Sequence, residues 1–273
     1  MRVTVIGAGY VGLTAAVALA HIGHEVTVIE TNPTRVAELR AGRSPIYEPG
    51  LEDLLRQVRD RLVFHPQLDA AAASAEVVLI CVGTPPAPSG EVDLSQLDAA
   101  IQELGRVVPK PARTVVAIKS TVPVGTLDRC LQALREAGQR RGIGTGFHLA
   151  VNPEFLREGS ALVDMLYPAR ILVGTNDPVA AEQLRRLYAP ILEQDFPVPA
   201  GLSRPQERRR PVFLVTDPAT AELTKYAANA YLAMKISFIN ELAALAEAVG
   251  ADITQLAQGI GTDPRIGTAY LGA

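Results

Sequence analysis

Three glycines and one acidic residue near the start of the chain have the types and the spacing of a ligand-binding motif. Gly7, Gly9 and Gly12 form a G-x-G-x-x-G pattern, and Glu30 follows 18 residues after the last glycine. In such a pattern the first glycine allows a tight turn, the second lets the backbone approach a pyrophosphate, and the third lets a helix pack closely on a strand. A carboxylate at this distance can accept hydrogen bonds from both ribose hydroxyls of an adenosine and would repel a 2′-phosphate. The spacing therefore predicts a site for NAD rather than NADP.

The residues around this motif predict a β-α-β unit that would position it. An apolar run rich in β-branched residues precedes Gly7, an alanine-rich run at 13–22 follows the motif, and a second β-rich run ends at Glu30. The helix N-terminus would present free N–H groups to an anion. A glycine-rich turn in some other α/β protein is the alternative, and the strand, helix and acid in the right order argue against it.

The rest of the sequence continues the alternation of strands and helices. Apolar runs predict strands at 61–64, 77–82, 114–118, 148–151 and 171–173, and helical spacing predicts helices at 34–40, 51–58, 94–107, 126–137 and 178–188. Loops are expected at 41–50 and 138–146, and an exposed linker at 201–211 that contains Arg204, Arg208, Arg209 and Arg210. The alternation predicts an α/β fold with a doubly wound parallel sheet of the Rossmann type.

The longest helical pattern, 219–249, has neither glycine nor proline inside it. At 1.5 Å per residue such a helix is roughly 45 Å long, which suits a helix that bridges domains or pairs with its copy in a second subunit. We therefore predict an NAD-binding domain at 1–200, a linker and strand at 201–218, and a helical central domain for dimerisation at 219–273.

Composition bounds the partners and the compartment. The chain has 273 residues, 48% of them hydrophobic and 20% charged, and a net charge of −3, which gives no electrostatic case for nucleic acid or membrane binding. Two cysteines and no recognisable signal peptide or membrane span predict a cytoplasmic protein, and no metal site is expected. Among the 26 basic residues the lysines are Lys110, Lys119, Lys225 and Lys235, so a lysine in a candidate site is notable.

Three further motifs follow the glycine motif. Residues 119–123 read Lys-Ser-Thr-Val-Pro, residues 152–159 read Asn-Pro-Glu-Phe-Leu-Arg-Glu-Gly, and residues 221–229 read Ala-Glu-Leu-Thr-Lys-Tyr-Ala-Ala-Asn. In this order they closely resemble the UDP-glucose/GDP-mannose dehydrogenase family, and residues 261–267 look most like its UDP-glucose branch. The resemblance covers the whole chain.

The resemblance implies an enzyme that oxidises the C6 hydroxyl of a nucleotide sugar twice, with two NAD, through an aldehyde and a cysteine thioester that water hydrolyses. By motif match, Lys225 and Asn229 would stabilise the oxyanion at C6, and their spacing of four places both on one helical face. Thr121 and Glu158 would hold or activate the hydrolytic water, and Glu154 would be a second acid.

The glycine motif and the resemblance together predict the ligand contacts. NAD contacts are expected at Gly7, Ala8, Gly9, Tyr10, Val11, Gly12, Glu30, Arg35, Val82, Gly83, Thr84, Ser120, Thr121 and Glu158. Contacts with a UDP-sugar substrate are expected at Glu154, Phe155, Leu156, Arg157, Lys225, Asn229 and Arg265. Arg265 would reach the substrate either in its own subunit or in the partner subunit of a homodimer. The plainer alternatives are a solvated helix face for Lys225 and Asn229, capping of a helix start for the two glutamates, and a strand end for Thr121.

The resemblance places the nucleophilic cysteine a few residues beyond Ala273, together with a C-terminal domain that helps to bind the nucleotide. Cys81 lies in an apolar strand, and Cys130 lies on a helix without an activating partner, so neither is expected to replace it. The sequence as given is therefore expected to bind NAD and to be inactive or nearly so in the overall oxidation.

Other functions stay open at this point. The substrate could be GDP-mannose or a UDP-N-acetylhexosamine, and the chain could instead be a non-catalytic NAD-binding dimerisation module. A β-hydroxyacid dehydrogenase shares the Rossmann domain, but the 152–159 motif argues against that class.

Overall fold

The computed structural model describes residues 1–108, 114–142, 147–205 and 210–272. In these residues one sheet has eight strands, in the spatial order β3-β2-β1-β4-β5-β6-β7-β8. The strands are β1 (Arg2–Ile6), β2 (Glu25–Ile29), β3 (Leu62–His65), β4 (Val77–Ile80), β5 (Val115–Ile118), β6 (His148–Val151), β7 (Arg170–Gly174) and β8 (Val212–Thr216). The order reverses between β1 and β4, which is the switch point at which ligands of open α/β sheets bind.

The sheet is parallel except at one place. β6 and β7 are antiparallel and share the pair Val151↔Gly174, whereas β7 and β8 run parallel to each other. The prediction of a doubly wound Rossmann-type sheet is thus confirmed, with this correction to the parallel arrangement. An apolar run identifies a buried strand in either direction, so the sequence pattern does not reveal the reversal.

Eleven α-helices and one short 3₁₀ helix, Arg59–Arg61, are present in the described residues. They are α1 (Tyr10–His21), α2 (Pro33–Arg40), α3 (Leu51–Gln57), α4 (Ala70–Ala73), α5 (Ser95–Val107), α6 (Thr126–Arg140), α7 (Ala161–Leu166), α8 (Pro178–Leu187), α9 (Ala189–Glu193), α10 (Pro218–Val249) and α11 (Ile253–Gly261). The prediction was wrong at the start of the loop expected at 138–146, since α6 continues to Arg140, and residues 143–146 of that loop lie outside the described residues. Arg208 and Arg209 of the predicted linker also lie outside them.

Both faces of the sheet are buried along the central strands β4 and β5, which is why these strands are apolar at consecutive positions, whereas β8 is largely exposed. Alternate strand residues face two separate cores: Val77 and Leu79 of β4 pack with α1, α3, α7 and α8, while Val78 and Ile80 pack with α4, α5 and α6. This arrangement leaves the carboxyl ends of β1, β4, β5 and β6 at one edge of the sheet, where the predicted site residues follow the strands.

The chain divides into two compact units, residues 1–223 and 224–273, so the division falls inside α10. In the second unit Asp252 caps α11 by accepting from the N–H groups of Thr254 and Gln255 at 2.8 and 3.1 Å. The Nζ atom of Lys235 donates to the carbonyl oxygen of Ile266 at 3.0 Å, which ties the stretch after α11 to α10. Among the described residues, no helix has both the length and the apolar character that a membrane span requires.

Candidate functional site

The glycine turn lies between β1 and α1, and its three glycines meet three different requirements. Gly7 has a φ of +96°, which favours glycine. A Cβ atom on Gly12 would lie 1.9 Å from the carbonyl oxygen of Gly7, so close packing of α1 excludes any side chain there. Gly9 caps α1 from an extended conformation, and a Cβ atom there would meet nothing within 4 Å. The open side of the turn is therefore at Gly9, where the free N–H groups of Tyr10 and Val11 begin the helix.

Glu30 lies directly beside this turn. Its side chain is buried, and its two oxygens accept from the backbone N–H groups of Ala8 at 3.2 Å and Asn32 at 2.8 Å. The exposed guanidinium of Arg35 approaches the carboxylate to 4.0 Å. Asn32 also caps α2 by accepting from the N–H of Arg35 at 3.2 Å, so the acid and the helix start are held as one unit.

The ends of β4 and β5 are joined by side-chain hydrogen bonds. The hydroxyl of Ser120 donates to the carbonyl oxygen of Val82 at 2.6 Å, and the hydroxyl of Thr84 donates to the carbonyl oxygen of Thr121 at 2.8 Å. The structure thus brings together two stretches that the sequence placed at separate strand ends. Gly83 is exposed between them, whereas Thr121 is half-buried.

The next strand end, residues 152–159, is fixed by Asn152, which sequence reasoning did not assign to the site. Its backbone N–H donates to Ile118 at 2.8 Å, and its side-chain amide donates to the carbonyl oxygen of Leu172 at 2.8 Å. Its side-chain oxygen accepts from the hydroxyl of Tyr188 at 2.6 Å and from the Nζ atom of Lys119 at 3.3 Å. Every polar atom of the Asn152 side chain is therefore used to hold the start of the segment.

Lys119 is a buried lysine that the sequence analysis placed in a motif without assigning it to the site. Burial lowers the pKa of its ammonium group, while the neighbouring Cys81 and Glu154 act in the opposite direction. The ammonium also lies 5.9 Å from the centre of the Tyr188 ring. The scarcity of lysine in this chain was the signal that could have identified it.

The acids and the arginine of the 152–159 segment differ in their surroundings. Glu154 is half-buried and accepts a hydrogen bond from the N–H of Leu156, whereas Glu158 is exposed. Arg157 forms a two-pronged ion pair with Asp164 at 2.6 and 2.9 Å, a partner that the sequence analysis missed. This pair fixes the direction of the guanidinium, because two parallel bonds set its plane.

A cavity of about 250 Å³ lies beside the same segment. Lys119, Glu154 and Tyr188 line it, together with Arg170, whose guanidinium carbon stacks 3.7 Å from the centre of the Phe155 ring. Phe155 and Leu156 are half-buried there. The cavity offers acidic and basic groups next to an aromatic surface.

The remaining predicted site residues belong to the second compact unit. Lys225 is buried and Asn229 is exposed, one turn further along α10. Arg265 is exposed and forms a two-pronged pair with Asp263, with distances of 2.6 and 3.0 Å. Asp263 is a second arginine partner that sequence reasoning missed.

Both cysteines are buried and neither is activated. Burial raises the pKa of Cys81 to about 12 and that of Cys130 to about 11. An activated nucleophile shows the opposite shift. Within the described residues no group of three or more His, Cys, Asp or Glu side chains could hold a metal ion.

Comparison with known proteins covers the whole chain. Residues 1–192 match the NAD binding domain of the UDP-glucose/GDP-mannose dehydrogenase family, and residues 219–273 match its central domain. The chain is 45% identical to the UDP-glucose 6-dehydrogenase of Pseudomonas aeruginosa over 99% of its length, and 42% identical to UDP-glucose 6-dehydrogenase YwqF of Bacillus subtilis over 100% of its length. It spans 56% and 57% of these two proteins.

Solved structures give the same result. A UDP-glucose dehydrogenase from Pyrobaculum islandicum matches with a TM-score of 0.85 and 41% identity, covering 100% of this chain and 59% of that one. A GDP-mannose dehydrogenase from Pseudomonas aeruginosa matches with a TM-score of 0.85 and 31% identity, covering 96% of this chain and 57% of that one. The chain thus spans somewhat more than half the length of the proteins it resembles.

Proposed function

Because the chain belongs to the UDP-glucose/GDP-mannose dehydrogenase family, we propose that it is the NAD-binding and central part of an enzyme that oxidises UDP-glucose at C6 to UDP-glucuronate. The observation that carries this proposal is the similarity to UDP-glucose 6-dehydrogenases along nearly the whole chain, with a sequence identity of 45% in one case. The division into an NAD-binding domain at 1–200, a linker and strand at 201–218 and a central domain at 219–273 is part of the same proposal.

The residues of the glycine turn fit NAD. The open face of Gly9 admits a pyrophosphate to the free N–H groups at the start of α1, where the helix dipole favours an anion. Glu30 is held rigidly beside the turn and is suited to accept from ribose hydroxyls. The chemistry that bound NAD would supply here is that of a hydride acceptor for C6 of the sugar. Val82, Gly83, Thr84 and Ser120 would line its path at the ends of β4 and β5.

The remaining assignments concern what the chain's own residues do for the sugar. Lys225 and Asn229 would stabilise the negative charge that develops on the C6 oxygen, the ammonium by its charge and the amide by donating a hydrogen bond. Thr121 and Glu158 would hold a water, with Glu158 as its base, and Glu154 would be a second acid. The hydrogen bond from Thr84 to the carbonyl oxygen of Thr121 supports this, because it fixes the backbone of the group that must position the water.

Substrate contacts are proposed at the 152–159 segment and at Arg265. The pairing of Arg157 with Asp164 suits a role in which the arginine holds the shape of the segment. Phe155 and Leu156 would contact the nucleotide sugar directly. The ion pair of Arg265 with Asp263 is largely exposed, so that guanidinium can exchange its partner at small cost.

A homodimer is part of the proposal. α10 carries a stripe of exposed apolar side chains, Tyr231, Met234, Phe238 and Leu245, which are 55%, 55%, 52% and 57% exposed. Their spacing of three, four and seven residues places them on one side of the helix. A stripe of this kind is typical of a helix that pairs with another helix.

Since neither cysteine is activated, we propose that this chain by itself binds NAD without completing the oxidation. Two alternatives stay open. GDP-mannose or a UDP-N-acetylhexosamine could be the substrate, and the similarity to GDP-mannose dehydrogenase at a TM-score of 0.85 supports keeping the first. The apolar stripe on α10 supports the other alternative, a non-catalytic NAD-binding dimerisation module.

The proposal is tested with two proteins. The chain itself is titrated with NAD and with NADP by calorimetry, and we expect NAD to bind more tightly. The complete reading frame of its gene is then assayed with NAD and each of UDP-glucose, GDP-mannose and UDP-N-acetylglucosamine, with product analysis. Two NADH per UDP-glucose, with UDP-glucuronate as product, is the expected result. Preferred oxidation of another sugar nucleotide, or sustained turnover by residues 1–273 alone, would contradict the respective parts of the proposal.

A further inference from the structure

A buried carboxylate outside the assigned site residues connects two of the predicted motifs. Glu48 lies in the loop between α2 and α3 and is 5% exposed. Its oxygens accept hydrogen bonds from the hydroxyl of Tyr10, from the backbone N–H of Gly159 at 2.9 Å and from that of Leu162 at 3.4 Å. A buried carboxylate requires several donors to offset its lost hydration, and these are its donors.

Tyr10 brings the glycine turn into this cluster. It is the first residue of α1, and therefore part of the turn that would receive the pyrophosphate. The N–H of Gly159 also donates to its hydroxyl, at 2.8 Å. Burial and the bond to Glu48 raise the pKa of the Tyr10 phenol to about 12, so it stays protonated and donates at neutral pH.

Gly159 and Leu162 bring the sugar motif into the same cluster. Gly159 is the last residue of the 152–159 segment and follows Glu158, the proposed base. Leu162 is near the start of α7, where a carboxylate stabilises the free N–H groups of the first turn. The contacts span 38 residues between Tyr10 and Glu48 and 111 residues between Glu48 and Gly159, so the cluster joins parts of the chain that meet only in the fold.

From these contacts we propose that Glu48 is a positioning residue that couples the glycine turn to residues 158–162, so that NAD bound at the turn orders the segment that carries Glu158. The inference rests on the NAD binding assigned above and is independent of which sugar is oxidised. A ligand on the N–H groups of α1 restrains its first turn, and Tyr10 with it. The restrained phenol then holds Glu48 and the N–H of Gly159, which lowers the entropy cost of ordering residues 158–162.

The test is hydrogen–deuterium exchange of peptides covering 155–165, with and without saturating NAD, in the wild type and in Tyr10→Phe. In the wild type NAD should slow exchange at Gly159 and Leu162 by at least about fivefold, the lower end of ordinary coupling factors. Tyr10→Phe keeps the ring and removes only the hydroxyl, so NAD should bind but leave these rates almost unchanged.

Tyr167→Phe is the matched control. Its hydroxyl is buried near the end of α7 and has no hydrogen-bond partner within the described part of the chain, so its removal should leave the NAD effect at the wild-type value. Glu48→Gln is the second variant, and it should abolish the effect as Tyr10→Phe does. If the cluster had only a structural role, a substitution that breaks it would accelerate exchange equally with and without NAD.

The outcomes are distinguishable. If the wild type does not bind NAD in the accompanying titration, the proposed function fails together with this inference. If NAD binds but exchange at 158–162 does not change, or if Tyr10→Phe retains the full NAD effect, the coupling is refuted while NAD binding stands. If Glu48→Gln does not fold, Tyr10→Phe and its control decide the question.

Discussion

Two glycines of the same motif should respond to the same substitution in opposite ways. Gly12→Ala introduces a methyl group that would lie 1.9 Å from the carbonyl oxygen of Gly7 and 3.0 Å from the Cβ atom of Cys81. Gly9→Ala introduces one with no atom within 4 Å, on a backbone with a φ of −72° and a ψ of −166° that any residue adopts. Gly12→Ala should therefore damage the fold, and Gly9→Ala should damage only the binding of NAD.

The magnitude for Gly12→Ala follows from two opposed effects. Alanine is favoured over glycine inside a helix by about 1 kcal/mol. Overpacking costs about 1–3 kcal/mol and sometimes more, and the obstacle here is a backbone oxygen that no rotamer can move. Because this obstacle puts the overpacking cost at about 3 kcal/mol or more, the clash outweighs the gain of about 1 kcal/mol and leaves a net loss of about 2 kcal/mol or more. At about 2–4 °C per kcal/mol, the melting temperature without ligand should fall by about 4–8 °C.

For Gly9→Ala the stability should change by less than about 1 kcal/mol, because the lower entropy of the unfolded chain and the poorer capping by alanine oppose each other. The affinity for NAD should fall at least about tenfold, since each lost hydrogen bond to a charged group costs about 1.5–3 kcal/mol. Thermal unfolding without ligand and calorimetric titration with NAD measure the two effects separately. Equal loss of stability in both variants, or wild-type NAD affinity in Gly9→Ala, would refute the assignment of the turn.

Three other predictions follow from single side chains. At pH 8 Cys81 and Cys130 should react with a disulfide reagent only after unfolding in urea, because pKa values of about 12 and 11 leave about 0.01% and 0.1% of the thiols ionised. Rapid reaction of the native protein would contradict this. Burial raises the pKa of Glu222, so the folded state holds that proton more tightly than the unfolded state does. The free energy of unfolding, measured relative to Glu222→Gln, should therefore decline as the pH rises from about 4.5 through the folded pKa. A difference in melting temperature between the two proteins that does not vary with pH would disprove this. Glu30→Gln should reduce the preference for NAD over NADP by about tenfold in competitive titration, because the repulsion of a 2′-phosphate is lost, and an unchanged ratio would count against the role of Glu30.

The parts of the fold that were predictable are those in which the signal is local. β6 and the long helix were predicted within one residue, because a short apolar run and an uninterrupted helical pattern are each complete within a short window. The glycine turn was predictable for the same reason, since its acid lies 18 residues away. The short helix α4 was not predicted, because four alanines carry no periodic pattern.

The interactions that could not be predicted are those created by the sheet order. Lys119 follows β5 and Asn152 follows β6, and only the pairing of those two strands brings the ammonium to the amide. The contact between Glu48 and Gly159 likewise forms only in the fold, because no spacing in the sequence predicts which residues of two distant loops will meet.

The difference between these two classes of residue bears on how the chain works. Local motifs supply groups that would touch a ligand, such as the N–H groups of the glycine turn. Groups contributed by the topology, such as Asn152 and Glu48, have their polar atoms occupied by other parts of the protein. These groups fix the orientation of the residues that would contact the ligand, because a buried polar group with every hydrogen bond satisfied has a single low-energy arrangement. Breaking the hydrogen bonds of the second class should therefore change how bound NAD acts on the neighbouring segment more than whether NAD binds. Exchange measurements would register this difference in Glu48→Gln, and in Tyr10→Phe because the Tyr10 hydroxyl donates to Glu48.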